Sequence, residues 1–299
     1  MSFIIKGDIM KKFLNFIIFK LQTILKLKIV YLCPKGVFLN ENNVFDSDLN
    51  VKIKINSTAY SILEILNNEL SFNEIITILL NKYSVHRNLL EKDVLNLFND
   101  LEEKNLVERK IKGNKIITYF FNVFIGQYIY KKRYTIPKSN IYTFLLLLYL
   151  ILKKLFLVIL FSIIITIYFK KNFIININII NNYYIFIFSI ILGFVIHEWV
   201  HIFISRLKFK KVHGYIMLKK FTISIVKLNS ESTFKSILLG PVIPSFLGII
   251  FIISYFVYNN ITFLFIGLAF VINIINLLPF ASDGKRLLEK FLIMNLRKE

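Results

Sequence analysis

The chain has 299 residues, 56% of them hydrophobic and 16% aromatic, with only 19% charged and a mean hydropathy of +0.62. Those values exclude a wholly soluble globular protein and, with 31 Phe and 15 Tyr, an intrinsically disordered one. The single cysteine, Cys33, excludes a disulfide framework and any zinc site made of cysteine clusters, so a metal would have to be held by carboxylates and by some of only four His. The net charge of +20 does not point to nucleic acid, because the excess of Lys accompanies an equal excess of Ile, Asn, Phe and Tyr, the composition an AT-rich genome produces.

Residues 1–29 form a basic apolar segment in which Lys20, Lys26 and Lys28 interrupt the hydrophobic run and no small-residue cleavage site follows. The pattern predicts an amphipathic segment lying on membrane lipid or on the next domain, rather than a signal peptide. Residues 30–118 read as a compact α+β module. Short β-prone runs (IVYLC, GVFLN, VKIKI) precede three helices: one capped by Ser57 and running to about Leu66, one opened by the capping box Ser71/Glu74, and one over Asn88 to Glu103. The third carries Leu89, Leu90, Val94, Leu97, Phe98 and Leu101 as an apolar stripe. A ribbon turning at Gly113 and Asn114 is predicted to close a winged-helix-like unit, followed by a linker at 119–140.

The order of this module resembles the PqqD-like leader-binding modules of pathways that make ribosomally synthesised, modified peptides. The likeness lies in NSTAYSILEILNNELSFNEIITILLNKY followed by LLEKDVLNLFNDLEEKNLVE. It implies a precursor peptide, or its leader, as partner, added as a strand beside Val51 to Ile55 and the face of Asn88 to Glu103. The third helix carries more acid than base, the wrong sign for a DNA-binding helix, so no nucleic acid is expected.

From 141 to 299 the only carboxylates are Glu198, Glu231, Asp283, Glu289 and Glu299. Four apolar runs are long enough to cross a bilayer, approximately Leu148–Phe169, Tyr183–Ser205, Ser236–Tyr258 and Ile261–Phe280, with Lys153 and Lys154 placed to snorkel from the first. Lys and Arg crowd the segment before the first span, the loop at 206–235 and the tail. The expected protein is therefore multi-pass in the cell membrane with both termini cytoplasmic.

HEWVH, residues 197–201, lies in the second run. At positions i and i+4 of a helix, His197 and His201 share a face and can reach one metal ion, and Glu198 can approach a water held by it. A third ligand is needed. His213, in the basic loop, is conceivable; Asp283 is the stronger candidate, because it follows the fourth span in NLLPFASDG, where Pro279 interrupts the helix, Gly284 permits a tight turn and the topology delivers it to the depth of the His pair. Asn273 reads as a helix-to-helix hydrogen-bonding residue. Residues 209–228 alternate polar and apolar, as a hairpin would.

HEWVH, then Gly240 and Pro241 in LLGPVIPSF, then Asn276, Pro279, Asp283 and Gly284, resemble the site-2 protease type of intramembrane zinc metalloprotease, over about residues 183–290. The resemblance implies one zinc ion held by His197, His201 and Asp283, with Glu198 as general base. It also implies Asn276 as a contact to substrate backbone or developing oxyanion, and a hairpin edge offered to an extended substrate. The spacer from Pro279 to Asp283 is one residue shorter than in many members and resembles the peptide-maturation branch, and Pro244 stands where members often carry Asn. The expected function is a zinc-dependent metalloendopeptidase that cuts a precursor captured by the N-terminal module. The alternative is a non-catalytic membrane peptide-binding or immunity protein with a structural or vestigial metal site.

Overall fold

The computed structural model describes residues 28–40, 43–66, 68–121, 131–172, 177–209, 212–218, 223–228 and 231–296. The amphipathic segment expected at 1–29 lies outside these, apart from its last two residues. The chain divides into two compact units, one built on residues up to Tyr134 and on Met217–Thr222, the other on Thr135–Ile216 and Ile223–Glu299.

In the first unit, β2 (Val37–Asn40), β3 (Asn43–Asp46) and β4 (Val51–Lys54) form an antiparallel meander in which Phe38 faces Phe45 and Phe45 faces Lys52 across the strands. The alternate row, Leu39, Val44 and Ile53, turns inward, and Val44 is fully buried. A second, two-stranded ladder pairs β1 (Lys28–Leu32) with β5 (Glu108–Lys112). Three helices, α1 (Ser57–Leu66), α2 (Phe72–Lys82) and α3 (Arg87–Glu103), close the core around Leu63, Leu66, Ile75, Ile76, Leu79, Val94 and Phe98.

The predicted capping box on α2 is present: Glu74 N–H donates to Ser71 Oγ and the Glu74 carboxylate accepts from Ser71 N–H at 2.8 Å. Four local expectations change. The cap of α1 is Asn56, whose Oδ1 accepts from Ala59 N–H at 2.7 Å, while Ser57 is already helical. Asn43–Asp46, outside the three β-prone runs, forms a strand. Leu89, counted in the apolar stripe of α3, is 53% exposed, because the buried face runs through Leu90, Val94, Phe98 and Leu101. The predicted ribbon does not form: β5 pairs back to β1, and the residues after Asn114 make a short helix, α4 (Lys115–Phe121), with Asn114 Oδ1 accepting from Ile116 N–H.

Part of the stretch read as a linker is folded into this unit. Arg133, at the start of strand β6 (Lys132–Thr135), is buried and donates from Nη1 to Asp46 Oδ2 at 2.8 Å and from Nε to Asp48 Oδ2 at 3.0 Å. Its backbone N–H donates to Glu108. Two carboxylates on one planar guanidinium is the arrangement in which a buried charge is tolerated.

The second unit is helical: α5 (Asn140–Asn172), α6 (Ile177–Lys208), α7 (Phe234–Tyr258) and α8 (Ile261–Val271), which passes through a 3₁₀ segment (Ile272–Leu277) and a bend of 42° into α9 (Ser282–Leu296). Three of these helices are long and apolar enough to cross a membrane, four if the bent pair counts as one span. The first begins earlier than the hydrophobic run implied. Lys153 and Lys154 therefore sit more than three turns inside it, and Lys154 is 5% exposed, packed into the bundle rather than snorkelling. Strands β7 (Gly214–Leu218) and β8 (Ile223–Lys227) are neighbours in the predicted hairpin.

Candidate metal centre

Helix α6 carries His197 and His201 on one buried face, one turn apart, and their rings meet edge to face with centroids 4.8 Å apart. Trp199, between them, points elsewhere: its indole N–H donates to the Asn140 carbonyl at 3.0 Å, which with Arg206 on Asn140 Oδ1 fixes the start of α5 against α6.

The third residue arrives from the far end of the chain. The 3₁₀ segment ends at Leu277, Pro279 stands in the break, and α9 restarts at Ser282, so that Asp283 lies in its first turn. Its Oδ2 is 2.8 Å from His197 Nε2 and 3.1 Å from His201 Nε2, and the two Nε2 atoms are 3.1 Å apart. The three buried residues form a cluster able to hold a metal ion. Gly284 has a different task from the turn predicted for it. It is helical, and a Cβ there would meet the carbonyl oxygens of Leu278 and, at 2.5 Å, of Leu277, so its lack of a side chain lets α9 begin against the preceding segment.

Helix α7 shapes the other wall. Gly240 and Pro241 lie inside this helix, not at its opening. A Cβ on Gly240 would stand 2.6 Å from His201 Nε2 and 2.8 Å from Nδ1, so only glycine leaves room for the ring. One turn earlier, the carbonyl of Ser236 lies 2.6 Å from His201 Nδ1. A carbonyl only accepts, so the proton is on Nδ1 and the Nε2 lone pair is free to ligate. Nothing in the sequence motif marks Ser236; its contribution is made by the backbone.

Glu198, next to His197 on α6, is half-buried. Lys227, on β8, is a contributor that sequence patterning missed: its ammonium donates to the His201 carbonyl at 2.9 Å and to Ser205 Oγ at 2.8 Å. Burial pushes this ammonium down to about 8, against the opposing field of Glu198. His213, the alternative third ligand, is not in the cluster. Glu231 holds it, accepting from its backbone N–H at 2.6 Å with the other carboxylate oxygen 2.6 Å from Nδ1. Asn276 is half-buried in the 3₁₀ segment, whereas Asn273, one 3₁₀ turn earlier, is buried.

Comparison with known proteins reaches only the first unit. Residues 41–107 match the family model of coenzyme PQQ synthesis protein D, so a PqqD-like domain stands in that part of the chain. No curated protein and no solved structure matches. The chain thus combines a PqqD-like domain, of a kind that binds a precursor peptide, with a set of helices able to span a membrane and a buried His/His/Asp cluster.

Proposed function

We propose that the chain is an intramembrane zinc metalloendopeptidase of the site-2 protease type, cutting a ribosomally made precursor whose leader is held by the PqqD-like domain. The observation that carries this reading is the meeting of His197, His201 and Asp283, 82 and 86 residues apart in sequence, on one buried point beside Glu198. Two neutral imidazoles and a carboxylate are the nitrogen and oxygen donors zinc takes, with a fourth position left for water. Tetrahedral ligand atoms at zinc distances stand about 3.3 Å apart, close to the separations seen among the three side chains.

A bound zinc ion supplies Lewis acidity and lowers the pKa of water towards neutrality. The protein residues do the rest. His197, His201 and Asp283 hold the ion, with the His201 ring fixed by its bond to Ser236. Glu198 takes a proton from the attacking water and gives it to the departing amine as the C–N bond breaks. Asn276 contacts the substrate backbone or the developing oxyanion, and the β7–β8 hairpin offers an extended substrate a strand edge. A cytoplasmic position of both termini and of the loop at 206–235, from the distribution of Lys and Arg, puts recognition and cutting on one side of the membrane.

The test uses purified protein in liposomes with a leader-bearing precursor and a leaderless peptide. Wild-type protein should contain about one zinc per chain and cut the leader-bearing substrate faster. Removal of residues 1–118 should weaken that reaction strongly and affect the leaderless peptide little, because tethering raises the substrate to roughly millimolar local concentration. Stoichiometric zinc with no cleavage of either peptide would leave a binding protein with a structural metal.

A further inference from the structure

The two imidazoles of the cluster are unequal. A metal-ligating histidine almost always donates its second ring N–H to an outer partner, which fixes the tautomer and the ring. His201 has that partner in the Ser236 carbonyl. His197 turns Nε2 towards Asp283 and His201, so its proton belongs on Nδ1, yet Nδ1 is buried with no hydrogen-bond partner among the described residues. A buried donor left so costs free energy.

A second orphan of complementary chemistry lies on the 3₁₀ segment, where it packs against the same helix. Asn273 is 2% exposed, and its Nδ2 donates to the Phe270 carbonyl at 3.0 Å, an assignment fixed by the carbonyl's being acceptor only. Its Oδ1 is buried and has no partner among the described residues. The side chain reaches α6 at Gly193, where an added Cβ would stand 2.8 Å from Nδ2, so the absence of a side chain at 193 makes room for the amide. Gly193 is one turn before His197, and helical side chains lean back over the preceding turn. An unpaired donor and an unpaired acceptor are thus placed towards the same turn of α6.

We propose that Asn273 is the outer partner of His197: its Oδ1 accepts the Nδ1–H, directly or through one bridging water, and it is a positioning residue for the metal site. This rests on the reading of the cluster as a metal centre and concerns metal affinity, not cleavage. The sequence motif gives this residue no role, and the asparagine with an expected role, Asn276, is a different one.

The experiment measures zinc affinity by chelator competition on full-length protein in detergent, together with the ¹⁵N-histidine spectrum of the zinc-loaded form, in which only four His appear. Asn273→Leu keeps the volume and removes the acceptor, and should weaken zinc about 10- to 100-fold. Asn273→Asp restores an acceptor and should bind within a few-fold of wild type. Asn273→Leu with wild-type affinity, or Asn273→Asp as weak as Asn273→Leu, would overturn the proposal, the second outcome showing a packing role. Should the leucine variant fail to fold, the wild-type spectrum decides. The Nδ1–H of His197 should be protected from exchange, and exchange as fast as that of exposed His86 would overturn the assignment. A wild type that binds no zinc removes the metal centre itself; tight zinc without peptide cleavage removes only the peptidase reading and leaves Asn273 in its role.

Discussion

In the first unit Val44, Leu66, Ile75 and Phe98 are enclosed while the lysines stand outside. In the second, Phe161, Ile167 and Tyr168 are exposed, Phe256 is 75% exposed, and His197, His201, Ser205, Ser236, Asn273 and Asp283 are inside. The inversion is the one expected where a unit of helices able to span a membrane meets lipid and the other unit meets water. Water drives apolar surface together, so the module is organised by an alternating strand row and helical stripes. Between helices in lipid that drive is absent, and close packing at small residues and polar contacts takes its place. Gly193, Gly240 and Gly284 are among the places where side chains or backbone of the second unit approach closely, and each lies beside a polar group of the cluster or the segment that carries it. Helices able to span a membrane can thus hold a polar site with little additional structure, whereas in the module's interior Arg133 is buried together with its partners Asp46 and Asp48, the opposite charges paired.

Substitutions at the polar interior should separate the units most sharply. Glu198→Gln should keep the metal and lower turnover about 10²- to 10⁴-fold, the usual worth of a general base. His201→Ala and Asp283→Ala should lose the metal. None of the three should change leader binding by the module, measured with a fluorescent leader peptide, and a parallel loss of binding would break the comparison.

Arg133→Met tests the exception in the first unit. It leaves the carboxylates of Asp46 and Asp48 buried without a cation and should cost about 3–5 kcal/mol in denaturant unfolding of the module. Replacing all three groups with apolar residues should recover much of that loss. A single variant as stable as wild type would show that water reaches the carboxylates. Gly240→Ala sits between the two cases: its methyl group must displace the His201 ring, and a loss of about tenfold in zinc affinity, near 1.4 kcal/mol, is expected with the module unchanged.

The same difference in solvent governs how legible each part was in the sequence. The α2 cap and, apart from Leu89, the apolar stripe of α3 follow from local periodicity and short-range chemistry, and they stand where the pattern puts them. The meeting of His197, His201 and Asp283 was legible because HEWVH puts two histidines on one helix face and so few acidic residues remain in the second half. The fate of the segment after β5 was not, because β1 takes the edge the expected ribbon would have used, and that pairing joins residues far apart in sequence. Arg133 was hidden for the same reason: nothing near it announces Asp46 and Asp48. Ser236 could not have been found at all, since its carbonyl is common to every residue and only the path of α7 brings it to His201.

The smallest expected effect tests whether local chemistry acts locally. In the capping box of α2 the Glu74 carboxylate accepts from the Ser71 hydroxyl at 2.7 Å, from Ser71 N–H at 2.8 Å and from Lys28 Nζ at 3.2 Å. These bonds, that of the Ser71 hydroxyl first, pull its pKa down to about 2. A carboxylate whose folded pKa lies below its unfolded value of about 4.3 stabilises the fold above that unfolded value, and the contribution is lost as pH falls towards about 2. Ser71→Ala removes the leading cause as well as the acceptor for Glu74 N–H, and should cost about 1 kcal/mol at neutral pH. The difference from wild type, read as hydrogen-exchange protection of the amides of residues 72–82, should be constant above about pH 5 and shrink between about pH 4 and pH 2, because the wild-type box then loses its carboxylate too. A difference that persists unchanged at pH 2 would show that the serine acts through the Glu74 N–H alone. Protection of the cluster helix α6 should not move in either case, because the cap's influence ends within the first turn of its own helix.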